Sequence, residues 1–202
     1  MLRARALTRQ VLALILFLTA ASGARTHELR PAIAEISFPD GAYQIAIVVN
    51  LEALIAGVGP GHADTDLSPV AIDYNRLRAM PPEALTSEYL AFESGFLEAL
   101  KISGDGAALE RDMISLLVPA VGDVELARDS ILTVGGPLPG DVGEVSFGWS
   151  GAYGPVVFRT AADENGEGFS AFLIGGEVSA PVEVTRGGGS FFGSVWRWMF
   201  GG

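Results

Sequence analysis

Residues 101–118 read Lys-Ile-Ser-Gly-Asp-Gly-Ala-Ala-Leu-Glu-Arg-Asp-Met-Ile-Ser-Leu-Leu-Val, and the pattern of the chain changes there. Asp105-Gly106 is a strong hairpin signal, because both central residues of a type I′ turn need positive φ and this pair tolerates it. Beyond it, short apolar runs are separated by turn residues. Met113–Val118, Ser130–Val134, Val142–Trp149, Pro155–Ala161, Gly168–Ile174 and Val178–Thr185 are strand candidates. Gly135-Gly136-Pro137, Pro139-Gly140-Asp141, Asp163-Glu164-Asn165-Gly166 and Gly175-Gly176 are the predicted connections between them. Strands at this spacing predict an antiparallel, immunoglobulin-like β-sandwich rather than βαβ units.

Upstream of Lys101 the period is helical. Leu85, Tyr89, Phe92, Phe96 and Leu100 recur at four- and three-residue steps, which places them on one face of an amphipathic helix. Glu83 sits in its first turn, where the helix dipole favours a negative charge. Pro81-Pro82 ends a shorter helix, Tyr74–Met80 with Asp73 as its cap, and starts the longer one. Asn50 is placed to cap another short helix through Leu51, Leu54 and Ile55, which Gly57 ends. Before it, Ala32–Phe38, the turn Pro39-Asp40-Gly41 and Tyr43–Val49 read as a β-hairpin. The helices at about 51–100 are therefore predicted as an insertion between this hairpin and the later strands.

The two ends differ from the body. Arg3, Arg5 and Arg9 precede the apolar run Val11–Leu18, and Ser22-Gly23-Ala24 puts small residues at a cleavage position. This is the pattern of a signal peptide over residues 1–24, with Ala24 the last residue removed. The alternative is a retained anchor, although the uncharged run is short for the roughly 20 apolar residues of a span. The body, residues 25–186, is then exported to the periplasm or the extracytoplasmic face of the membrane. Residues 187–202 begin with Gly187-Gly188-Gly189-Ser190 and carry Phe191, Phe192, Trp196, Arg197, Trp198 and Phe200. Such a cluster matches a membrane-interface element, with Trp and Arg at head-group level. The alternative is that it folds back as a last piece of core.

Composition narrows the chemistry. The formal net charge is −11, and loss of three arginines with the leader makes it more negative. A chain this acidic repels nucleic acid at long range, so no nucleic-acid partner is expected. It has no cysteine, which removes disulfides, thiolate metal sites and a thiol nucleophile. His27 and His62 are its two histidines. His27, His62, Asp64 and Asp66 form the candidate set for a divalent transition metal such as nickel, since imidazole with carboxylate suits such ions. The alternative for the loop is two aspartates bonded to nearby backbone amides. Ser146, Ser150, Ser170 and Ser179 lie in or beside strands, and none occupies a Gly-x-Ser-x-Gly elbow. Nothing selects a carboxylate pair or a phosphate-binding glycine loop.

Several segments together resemble the HupE/UreJ-type membrane proteins. They are His27-Glu28-Leu29-Arg30-Pro31-Ala32 after the leader, Ala63-Asp64-Thr65-Asp66, Tyr74-Asn75-Arg76-Leu77-Arg78-Ala79 with Pro81-Pro82, Val121–Ser130, and Gly175-Gly176-Glu177-Val178-Ser179. The resemblance implies an exported domain that is followed, in the family, by several membrane helices bearing a His- and Asp-containing motif for nickel or cobalt permeation. After Gly189 this sequence offers only the aromatic tail, so no transport residue is matched; a shortened stand-alone member and a truncated gene product both fit. The expectation is a non-enzymatic exported domain, accessory to nickel or cobalt uptake, with a membrane-protein partner or the membrane interface as its contact. The rival readings are a free-standing periplasmic β-sandwich that binds a protein or small ligand through the helical insertion, and a hydrolase.

Overall fold

The computed structural model describes residues 30–59, 69–162 and 167–186. The leader, the 60–68 loop, residues 163–166 and the tail lie outside them. Strand β1 (Ala32–Ser37) and strand β2 (Ala42–Asn50) form the predicted antiparallel hairpin, with Ile33 opposite Val48 and Ile36 opposite Ile45. Helix α1 (Leu51–Ala56) begins at Asn50, whose Oδ1 accepts from the Ala53 N–H at 2.9 Å. Helix α2 (Ala71–Arg78) starts earlier than predicted. The Tyr74 N–H donates to Val70 O at 3.0 Å, so the first turn closes over Asp73 and leaves it inside the helix rather than capping it. There Asp73 still meets the favourable end of the dipole. Helix α3 (Pro82–Ala99) has Pro82 in its first turn and buries Leu85, Tyr89 and Phe96.

The remaining strands are β3 (Lys101–Gly104), β4 (Ala107–Ala108), β5 (Asp112–Leu117), β6 (Asp129–Pro137), β7 (Glu144–Gly148), β8 (Val156–Thr160), β9 (Ser170–Leu173) and β10 (Val182–Glu183). The fold is mainly β, in two sheets rich in antiparallel pairs. One has the order β5-β6-β2-β1-β8-β9 and the other β10-β7-β3-β4. Asp105 and Gly106 turn β3 into β4 with φ of 46° and 84°, as the Asp-Gly pair predicts. The Asp105 carboxylate also accepts from the backbone N–H groups of Gly143 and Glu144, which ties the turn to the start of β7.

Three expectations are corrected. The large sheet is not wholly antiparallel, because β1 and β8 run parallel. The hairpin leaves one edge of β1 open, and β8 fills it in register through the Glu35–Arg159 pair at 2.9 Å and the bond from Ala32 N–H to Pro155 O. Gly135-Gly136-Pro137 is not a connection but the end of β6, opposite Gln44, Tyr43 and Ala42. A Cβ on Gly136 would lie 2.2 Å from Glu110 O and one on Gly135 2.4 Å from Tyr43 O, so the glycines permit a close backbone crossing inside a strand. Val178–Thr185 keeps only Val182–Glu183 as strand, with an isolated bridge from Val178 to Gly148. Between them the Ser179 hydroxyl accepts from Phe147 N–H, a side chain standing in for a ladder partner, and Pro181 has no N–H to give.

The two sheets and the helices share one apolar core. Phe147 of β7 stacks on Phe158 of β8 with ring centroids 4.9 Å apart, which joins the sheets. The predicted apolar face of α3 enters this core: Tyr89 meets Phe96 edge-on at 6.2 Å, and Phe96 lies 5.9 Å from Tyr153.

Candidate functional site

The metal set His27, His62, Asp64 and Asp66 lies outside the described residues, as do Phe191, Phe192, Trp196, Arg197, Trp198 and Phe200 of the tail. Among the described residues no group of three or more His, Asp or Glu is placed to hold a metal, and no helix is long and apolar enough to cross a membrane.

One cluster of polar side chains lies at the end of the large sheet where β2 ends at Asn50 and β6 begins at Asp129, its register partner. The Arg30 Nη2 donates to Asp129 Oδ2 at 3.0 Å across the mouth of this end. Beside the pair lies a cavity of about 70 Å³ lined by Arg30, Pro31, Ile33, Val49, Asn50 and Asp129 among others. Pockets for drug-sized ligands run to several hundred Å³, so this one suits water or a small ion.

Behind it the α-helices are fastened by buried polar groups. Asn50 Nδ2 donates to the Tyr74 hydroxyl at 2.9 Å, joining β2 to α2 while Asn50 Oδ1 caps α1. Arg128 Nε donates to Glu52 Oε1 at 2.7 Å, and Arg128 Nη1 donates to Met80 O and Pro119 O. Only 1 % of the Glu52 side chain and 10 % of that of Arg128 is exposed. One guanidinium therefore holds helix α1, the α2–α3 junction and the 119–128 segment together. The pair is one-pronged, since Glu52 Oε2 and Arg128 Nη2 are buried without a partner. Arg78, at the end of α2, is also buried. Its Cζ lies 5.1 Å from the Tyr74 ring centroid and its Nη1 donates to Asn75 Oδ1 at 3.1 Å.

A second, open groove of about 380 Å³ lies where Leu97 and Glu98 of α3 face Glu110, Arg111 and Asp112. Its polar groups are committed to structure. Arg111 Nε donates to Leu97 O at 2.6 Å, and the Tyr43 hydroxyl donates to Glu110 O at 2.8 Å. Burial pushes the Tyr43 phenol up to about 12, with Arg111 opposing and Asp112 reinforcing the shift. Burial likewise raises Tyr89, whose hydroxyl faces the Met113 sulfur at 3.4 Å, and Tyr153. Held protonated, Tyr43 and Tyr89 serve as hydrogen-bond donors, to Glu110 O and the Met113 sulfur.

Sequence reasoning singled out none of Glu52, Arg78 and Arg128 as a site. The available signal was position: Glu52 lies between Leu51 and Ala53 in a helix whose first four residues are all buried, so one acid had to go inside with a partner. Against known proteins, no family model matches this chain and no curated protein matches it.

Proposed function

We propose that the chain is the exported, non-enzymatic domain of a HupE/UreJ-type protein, accessory to nickel or cobalt uptake at the extracytoplasmic face of the membrane. One observation carries this reading: three of the segments that bear the resemblance converge on one end of the large sheet. Arg30 of the opening segment pairs with Asp129 of the 121–130 segment, and Arg128 of that segment bonds Met80 O directly after the 74–79 segment. Segments that share a pattern and then share a place are what a recognition end requires. In this reading His27, three residues before Arg30, joins His62, Asp64 and Asp66 in offering a divalent ion a first landing place, and the aromatic tail rests at the membrane interface. The architecture proposed for the body is an immunoglobulin-like sandwich, supported by the Phe147–Phe158 stack between the sheets. Nickel and cobalt accumulation in cells lacking the gene tests the function. Accumulation should fall, return with the parent gene, and return only in part with His62→Ala. Equal accumulation with and without the gene would remove the reading.

A second reading, a free-standing binding module, is favoured by a different surface. Strand register aligns Phe172, Val157, Ile33, Val48, Ile131 and Leu117 in one row across all six strands of the large sheet. Phe172 and Leu117 are exposed at its two ends. A partner held there should be lost on Phe172→Asp while metal accumulation stays unchanged.

A further inference from the structure

Arg78 is a buried cation in which two of the three guanidinium nitrogens have no hydrogen-bond partner. It is 8 % exposed, and among its donors both Nε and Nη2 are buried without a partner. The rest of the guanidinium is held in place: Nη1 donates to Asn75 Oδ1, and the plane lies against Tyr74, whose own hydroxyl accepts from Asn50. The two unpartnered nitrogens form one edge of the guanidinium, where one N–H of each points in parallel with the spacing of two carboxylate oxygens. A buried charge with unmet donors is costly, and native proteins rarely leave such groups unmatched. The end of helix α2 offsets part of the cost, because its carbonyls favour a cation, but they leave this edge unfilled.

We propose that the Nε–Nη2 edge of Arg78 binds the carboxylate of a small organic acid. A carboxylate satisfies the edge with two oxygens and one charge. A phosphate dianion would bring more charge than one fork neutralises, into a chain whose net charge is already −11. The neighbourhood favours an acid with a short apolar body, since Ala53, Val58 and Tyr74 make a separate small apolar cluster there, with Ala56 and Val70 packed on it. Asn75 and Ala79, three residues before and one after Arg78, are exposed, so this end of α2 borders solvent. The inference does not rest on the uptake reading, and either can fail alone.

The test is a titration of the full chain with acetate, propionate and benzoate, with chloride and inorganic phosphate as controls at one ionic strength. Heat of binding and the shift in melting temperature are both read. The carboxylates should bind and raise the melting temperature, and the two controls should not. Arg78→Lys keeps the charge but not the fork, so it should weaken carboxylate binding by at least about tenfold, the worth of a lost charge-assisted pair. Arg78→Met should abolish it. Should these variants fail to fold, ligand-observed NMR of acetate with the parent chain, with benzoate as competitor, decides in their place. Carboxylate effects no larger than those of chloride, or binding that survives in Arg78→Met, would overturn the proposal and leave the edge to buried water.

Discussion

Helix α3 and helices α1 and α2 enter one apolar core, but the contacts that fix them there differ in kind. Helix α3 uses rings: Tyr89, Phe92 and Phe96 sit against each other, Phe92 and Phe96 also meet Tyr153, and the contact is apolar and tolerant of direction. Helices α1 and α2 use polar groups: Asn50 to Tyr74, Glu52 to Arg128, and Arg128 to the carbonyls of Met80 and Pro119. Apolar burial stabilises in proportion to area, whereas a desolvated ion pair returns little net energy but punishes any other arrangement. The difference teaches that α3 supplies stability and the α1–α2 end supplies a fixed geometry.

The comparison is broken most severely from the apolar side. Phe96→Asp puts an unpaired charge where a fully buried ring stood, and should cost more than about 4 kcal/mol. Chemical denaturation read by circular dichroism checks this, and a variant that melts within a degree or two of the parent would mean that the ring face is not core.

Next comes the clamp. Glu52→Ala leaves Arg128 buried without its anion and should cost about 3–5 kcal/mol. Replacing both partners with apolar residues, Glu52→Leu with Arg128→Met, should cost less than the single change, because no lone charge remains. A single variant that loses under about 1 kcal/mol, or a double variant worse than the single, would erase the distinction between the two fastenings.

A smaller, pH-dependent effect sharpens the comparison at Tyr43 of β2, whose hydroxyl donates to Glu110 O. Tyr43 ionises near 10.0 in the unfolded chain and at about 12 in the fold, because burial disfavours the phenolate. Its contribution is whole below about pH 10 and is lost as pH rises from there through 12. The melting temperature should therefore fall across that window, and Tyr43→Phe should flatten the fall. Tyr89, raised in the same direction, keeps some slope. An identical slope in parent and Tyr43→Phe would show that this phenol is not the group lost.

The smallest effect belongs to Arg76–Glu88, which links α2 to α3 at 2.9 Å with 48 % and 38 % of the two side chains exposed. Water and salt screen such a pair, so Glu88→Ala should leave the melting temperature close to that of the parent. A loss comparable to that of Glu52→Ala would mean that exposure does not separate the two pairs.

Much of this molecule is decided by local rules and was legible residue by residue. The first hairpin follows from two apolar runs around Pro39-Asp40-Gly41, the α1 cap from Asn50, the β3–β4 turn from Asp105-Gly106, and the buried face of α3 from side chains at helical spacing. Each depends on φ preference, on hydrogen bonds a few residues long, or on the period of apolar side chains, and all of these are written into short stretches. What depends on distant chain was decided only in the tertiary structure. Gly135-Gly136 looks like a turn until the Glu110 backbone crosses it, and the parallel β1–β8 pair needs an edge left open more than a hundred residues earlier. The buried clamp was hidden for the same reason. Glu52 and Arg128 are 76 residues apart, and as single residues in an acidic sequence they look like solvated charges. Only folding removes the water from around both, and with the water gone each charge must be met by the other.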